Sequence, residues 1–539
     1  MRHLLGLLAA ALVAAAPAAA LACGGLFCNN AQPVNQAAER ILFARDGDRT
    51  VMHVRLTWDG PPTEFGWLLP VPDDVEVGLS SEQLFTELDR LYAPIFTLTT
   101  EFEERCEFLA RDASSGDAGA AGFPGAGDGG GGVQVLSRQA IGPFDTSVIK
   151  ADDVVPLRQW LESNGYGIPE GTDALLVPYV EAGAAFVALR LLPDAESREV
   201  QPIRLTFTSD QPTVPIRPTA VAAEPDMGVI VHVLGQHRAI PENFLHVRIN
   251  EAAIDWPGGG QNYPDVVSQA ADEAGGQAFA TDYAGGSNGL RGNLTIYDAP
   301  FIEQVRAART FQQLEEILFR FQGDADMARV LPGVISGPDG FDPVDFLACP
   351  WCYDNERNAI TVDGAALAMQ IEEAINPPRE DLLRLIGQHP YLTRLYSTLS
   401  SHEMTQDPLF AENPDLVPVS NQYNATQYIR CGSDGEPDFA GATIETASGL
   451  RFRLANGANP NVIQRQAGET VRGEGVPAAR VIEQHLVAGQ PMVQSDRTAE
   501  IADSMAGDDS GCDCDAADGS SPAAALALLA VLGLVRRRR

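Results

Sequence analysis

Lysine is almost missing from this chain of 539 residues: Lys150 is the one example, and arginine carries the rest of the basic charge. Acids outnumber bases by 73 to 37, for a formal net charge of -36. Five of those bases, Arg2 and Arg536 to Arg539, sit at the extreme ends, so the part between them is more acidic still. A body of that charge is repelled by phosphate backbones and anionic lipid, which disfavours nucleic-acid binding. No period of 20–50 residues repeats, which argues against a solenoid or a propeller. There is no phosphate-binding loop, and no paired-carboxylate site stands out from the many acids. The segment "SHEM" at 401–404 lacks the second histidine of a zinc protease helix, because Gln406 stands where it would be needed.

What is present is a globular composition, 45% apolar and 20% charged, on a chain long enough for two or three domains. Residues 1–22, "MRHLLGLLAAALVAAAPAAALA", have a basic start, an apolar run and a small-residue finish. That is the layout of a secretory signal peptide, whose removal by signal peptidase leaves Cys23 first. Lipidation of Cys23 is the rarer alternative, since Cys28 is close enough to pair with it. At the other end, Pro522–Val535 is apolar on all sides and is followed by four arginines. As a helix of about 1.5 Å per residue it spans about 21 Å, against a hydrocarbon core of about 30 Å. The arginines are expected to stay cytoplasmic and the body outside. A helix that is too short suits cutting within the membrane better than permanent residence there.

Between the ends, strand signals dominate the first half. "VMHVRLTW" at 51–58 alternates as a half-buried strand with His53 on the polar face, and "LHVRIN" at 245–250 places His246 in the same way. "IRLTFT" at 203–208 alternates too, whereas "GVIVHVL" at 228–234, with His232, reads as a strand buried on both faces. Helices are expected at 80–92, opened by a Ser80/Gln83 capping box, and at 152–165. Phe301, Val305, Ala308, Leu314, Leu318 and Phe321 keep helical spacing, as does much of 360–402. A late strand, "LRFRLA" at 450–455, is expected to rejoin the sheet. The Gly/Ala-rich stretch 112–132 has no means of building a core and is read as a surface insertion, and 501–521 as an acidic tether. The expected fold is therefore α+β: a mainly antiparallel ectodomain over 23–500 with a helical third quarter, then 522–535 as a transmembrane segment and 536–539 as a cytoplasmic arginine cluster.

Two resemblances rest on particular residues. "ACGGLFC" after the leader, "NQAAERILFA", "EFGWLLPVP", "GQAFATDYAG" at 276–285 and "LTRLYSTLSSHEMTQDPLF" at 392–410 resemble segments of the domain-of-unknown-function 2330 family. That resemblance implies an exported fold and brings no catalytic residues. Gly511-Cys512 with Cys514, a short apolar helix and an arginine cluster resemble the C-terminal sorting signal of myxobacteria. It implies an intramembrane sorting protease as a partner, with Cys512 or Cys514 as the point of processing and anchoring, and a final location at the cell surface or outer membrane.

Six cysteines lie in the body: Cys23, Cys28, Cys106, Cys349, Cys352 and Cys431. An even number in an exported chain points to disulfides, and sequence alone leaves fifteen pairings open. "CPWC", Cys349 to Cys352, would serve as a redox dithiol only with its first thiol at a helix N-terminus, and as a zinc site only with a second cysteine pair, which the isolated Cys431 does not supply. A structural bridge is the favoured reading. Gly285-Gly286-Ser287-Asn288-Gly289 fits GxSxG, but "LRGNLTIY" after it reads as a strand where a nucleophile elbow needs a helix. "RDGDR" at 45–49 could bind calcium, although a solvated turn is the simpler reading. No catalytic residue, metal ligand or cofactor site emerges. The function expected is a non-enzymatic binding, adhesion or envelope-structural ectodomain, and the alternative is an exported thiol–disulfide oxidoreductase using Cys349 and Cys352.

Overall fold

The computed structural model describes residues 38–55, 66–102, 134–192, 200–221, 223–318, 323–353, 359–432, 436–464 and 476–506. The leader, Cys23, Cys28, Cys106, the stretch 112–132, Cys512, Cys514, the apolar run 522–535 and the closing arginines lie outside them.

Ten strands, numbered here in chain order, form the central sheet: β1 (Ala38–Asp46), β2 (Arg49–Arg55), β3 (Glu76–Leu79), β4 (Ile203–Thr208), β5 (Met227–Gly235), β6 (Leu245–Ile249), β7 (Ala278–Gly286), β8 (Tyr391–Leu399), β9 (Ala479–Gln484) and β10 (Met492–Asp496). Their order across the sheet is β10-β9-β6-β7-β8-β5-β1-β2-β4-β3. Neighbours run antiparallel except β6 with β7 and β1 with β5. A mainly antiparallel α+β fold is what the alternating strands and helical third quarter lead one to expect.

The centre of this sheet is covered on both faces. On one, Ile41, Phe43, Met52, Leu205 and Val231 pack against Trp67, Leu69, Val187 and Leu189 of a four-stranded sheet built from Gly66–Val71, Ala185–Leu191, Phe144–Lys150 and Gln134–Ile141. On the other, Leu42, Ala44 and Val51 meet Leu84, Phe85 and Leu88 of helix Glu82–Tyr92 and Leu382, Leu385 and Ile386 of helix Asn376–Gln388. This double cover corrects the half-buried reading of β2. His53 is fully buried, its Nδ1 2.7 Å from Ser80 Oγ, and burial first, then Arg204, lowers its pKa to about 3. The unbroken apolar run of β5 is buried along its whole length, as expected, and burial holds His232 neutral.

Four other expectations shift. The cap of helix Glu82–Tyr92 is Ser81, whose Oγ accepts from Leu84 N, and not Ser80, whose hydroxyl is engaged by His53. Residues 391–399 are the central strand β8; helical spacing ends where His389-Pro390 breaks it. Arg451–Arg453 does not rejoin the main sheet but edges a second four-stranded one with Thr443–Thr446, Gln422–Ile429 and Ile95–Phe102. The chain returns to the main sheet later, through β9 and β10. Finally, "LRGNLTIY" is no strand: Asn288–Arg291 is a short helix and the chain then runs irregularly to helix Ala299–Ala307.

The third quarter forms its own apolar cluster, with Phe311, Leu314, Phe346, Leu367 and Ile371 at its centre. A buried ion network fastens this unit to the two helices that cover the sheet. Arg379, with no exposed surface, donates from Nη2 to Asp324 Oδ1 at 2.6 Å and to Asp326 Oδ2 at 2.7 Å, and from Nη1 to Thr295 O at 2.9 Å. Asp326 also accepts from Ser81 Oγ and, at 2.6 Å, from the backbone of Glu82, while Asp324 accepts from Tyr297 Oη at 2.6 Å. No helix among the described residues is long and apolar enough to cross a membrane.

Candidate functional site

At the β10–β9–β6–β7 end of the sheet lies a cleft of about 470 Å³, in the range of small-molecule sites. Its floor is set by strand register. β6 and β9 run antiparallel with His246 directly opposite Glu483, so their side chains meet. His246 and Arg248, two apart on β6, share a face. Glu483 sits where the β9–β10 register slips, and His485 follows two residues on. On the other side, an irregularity in the β7–β8 pairing between Thr281 and Tyr283 aims Thr281 into the cleft and leaves Asp282 fully buried. Residues 416–423 form the facing wall, with Leu416, Val417, Val419 and Tyr423.

The polar groups form a directed chain. Arg238 Nη2 donates to Thr281 Oγ1 at 3.1 Å, and Thr281 Oγ1 lies 2.9 Å from His246 Nε2. His246 Nδ1 and His485 Nε2 each lie 3.1 Å from the same carboxylate oxygen, Glu483 Oε1. The two imidazoles stack, with centroids 4.1 Å apart. All three side chains are almost wholly buried. Burial, and then the second histidine, lowers the pKa of His246 to about 3, and burial lowers that of His485. Burial works against the Glu483 carboxylate, but hydrogen bonds from both histidines outweigh it and hold the group well below the usual carboxylate range. At neutral pH the floor is thus one carboxylate between two neutral imidazoles, both donating to it. Nδ1 of His485 is buried with no partner.

Around this floor stand three arginines. Arg238 is only 7% exposed and makes hydrogen bonds to Thr281 and to Val417 O, yet none of the described carboxylates comes within ion-pair reach of it. Burial lowers its pKa, with Glu483 opposing that from a distance. Arg480 keeps its Nε buried and unpaired, and Arg248 stands 3.7 Å from Glu483 Oε2. Against these three arginines the lining holds two acids, Glu251 and Glu483, so in a chain so rich in acid the cleft carries a small excess of positive charge.

The sequence singled out other places. Cys349 and Cys352 are joined by a disulfide, and Cys431 is disulfide-bonded as well. Cys349 caps the C-terminal end of helix Pro343–Ala348, where the helix dipole disfavours a thiolate, so the pair is badly placed for redox attack. Ser287 does have a strand before it and a helix after it, against expectation. It is nevertheless buried, and its hydroxyl donates to the backbone oxygen of His389 at 2.7 Å, so it is a structural donor. "RDGDR" is the tight β1–β2 turn, with Gly47 at a φ of 67° and Asp46 paired to Arg384 at 2.9 Å. His402 of "SHEM" is exposed on a turn. His246, placed on a solvated strand face by its alternation, is instead a floor residue, and Glu483 and His485 were missed. The signal for them was "VIEQHL": an acid and a histidine two apart on a strand point the same way.

Residues 17–289, just over half of the chain, match the model of a family described as "Uncharacterized protein conserved in bacteria (DUF2330)". No curated protein and no solved structure matches the chain.

Proposed function

The chain belongs to this DUF2330 family of bacterial proteins, and from that premise we propose that it is an exported, surface-anchored and non-enzymatic binding protein whose cleft captures a small anionic ligand. The observation that carries the reading is Arg238. A guanidinium this buried is costly unless a counter-charge meets it, and Glu483, the carboxylate whose charge it feels, is already taken up by two histidines. A carboxylate or phosphate entering the cleft would supply that charge, with Arg480 and Arg248 as further donors. Tyr423, Val417 and Val419 suit an apolar body attached to the anionic group.

Titration calorimetry with benzoate and with phosphate, in EDTA, tests this. At least one of the two is expected to bind, and Arg238→Gln is expected to weaken it by about tenfold or more. Absence of any heat with both anions would reject the reading.

Export and anchoring are supported by the two ends of the sequence. On this proposal the leader is removed before Cys23, the arginines of 536–539 hold the tail inside, and an intramembrane protease cuts near Cys512 or Cys514. Replacing both cysteines with alanine is expected to leave uncut protein in the inner membrane, whereas truncation after Gly511 is expected to release it. Peptide mapping of each cell fraction is the measurement. Terminal arginines found on the mature surface protein would show the tail to be a plain anchor.

A further inference from the structure

The floor of the cleft has an arrangement that anion capture alone does not need. We propose that His246 Nδ1, His485 Nε2 and Glu483 Oε1 hold a zinc-class divalent ion, and that the anionic ligand completes its coordination. The first half stands on the triad alone; the second rests on the anion-binding reading above.

The three donor atoms lie within 4.8 Å of one another, with both nitrogens 3.1 Å from the oxygen. With metal–ligand bonds of about 2.0–2.1 Å, donors around a tetrahedral ion sit about 3.4 Å apart, so small adjustments suffice to seat one. Two imidazoles and one carboxylate select zinc, cobalt, nickel or copper over calcium and magnesium, which take oxygen donors. Three protein ligands leave a position open, and all three residues line the cleft, so that position faces the incoming ligand.

The surroundings also fit. Imidazole ligands are usually fixed through their second nitrogen, and Thr281 Oγ1, itself held by Arg238, does this for His246. The ring protons now directed at Glu483 would move to Nε2 of His246 and Nδ1 of His485. That is a change of tautomer with no net proton released. The arginines raise the cost of a bare cation here, and this is where the two halves meet. An ion balanced by Glu483 and by a bound anion leaves the guanidiniums facing negative charge. Arg238 is then a positioning residue for His246 as well as a donor to the ligand.

The test uses the purified protein under non-reducing conditions, stripped with EDTA and titrated with zinc, and separately with calcium, in anion-poor buffer at neutral pH. One zinc per chain is expected, with calcium at least about 100-fold weaker. Glu483→Gln and His485→Gln should each weaken zinc by about 100-fold, and the gentler Thr281→Val by about tenfold. Should the ligand variants unfold, cobalt absorption of the unaltered protein and Thr281→Val still decide. No zinc uptake, uptake indifferent to these changes, or cobalt bands without imidazole character overturns the site. Benzoate titrated with and without zinc then tests the second half: equal affinity in both means that the ion and the anion are not partners. Anion binding in EDTA and zinc uptake without anion fail separately, so each reading can be lost alone.

Discussion

Arg379→Leu is expected to destabilise the protein by about 3–5 kcal/mol, read as a lower urea midpoint. The substitution removes the cation that Asp324 and Asp326 share, and leaves a buried carboxylate, Asp326, beside the half-buried one of Asp324 with no charge between them. Ser81, the Glu82 amide and Tyr297 would still donate to them, but none carries charge. Arg379→Lys keeps the charge without the fork and is expected to recover only part of the loss. The effect has a pH signature. Burial works against the Asp324 carboxylate, yet the hydrogen bond and charge of Arg379 hold it below its ordinary value. A depressed carboxylate contributes stability that is full above its unfolded pKa of about 3.9 and is lost as pH falls through the lower folded value. The variant never has that contribution. The gap between the two proteins should therefore be widest near neutrality and narrow below about pH 4. A variant with an unchanged midpoint would mean the network is a bystander.

Asp282→Ala should cost a similar amount, about 3–5 kcal/mol, and abolish ligand binding with it. Asp282 has no exposed surface and is gripped by Tyr263 Oη and by Arg394, a guanidinium 5% exposed. Without the carboxylate, Arg394 keeps Asp89, 3.9 Å away, as its ion-pair partner among the described residues. Tyr263 lines the cleft and Thr281 is the residue just before Asp282 in the chain, so losing Asp282 loosens the site as well as the fold. Tyr263→Phe removes only a hydroxyl, which is hydrogen-bonded to Asp282 and to Tyr423, and should cost less, about 1–3 kcal/mol. Thermal unfolding ranks the two variants, and benzoate calorimetry shows whether binding falls with stability. An Asp282→Ala protein that melts with the unaltered one would refute the assignment.

Much of the fold was legible from the chain because its signals are local. Alternation located β2, β4 and β6, the unbroken apolar run located β5, and an Asn-Gly stop ended helix Val154–Ser163. What periodicity cannot report is whether a polar-looking strand face meets water or another layer, and His53 and His246 were both lost to that ambiguity. Nor does it report which distant strands adjoin. His246 and Glu483 are paired across more than two hundred residues, and only the placement of β9 beside β6 makes a site of them. The Ser80 cap failed by one residue for a related reason: a long-range partner, His53, had already claimed that hydroxyl.

The order of strands has a consequence for synthesis. β9 and β10 are the last of the described strands, yet β9 pairs onto β6, whose own sequence is finished more than two hundred residues earlier, and β10 pairs onto β9. Until they arrive, β6 is an open edge, His246 has no Glu483 beneath it, and the cleft has no floor. The site is thus absent from any chain that stops short of β9, whatever else has folded. Glu483 and His485 also fall outside residues 17–289, the part of the chain that matches the family model. The matched portion supplies the seat for β9, and the late-arriving strand decides what chemistry is put there. A relative with another closing strand could keep the same scaffold and take a different ligand.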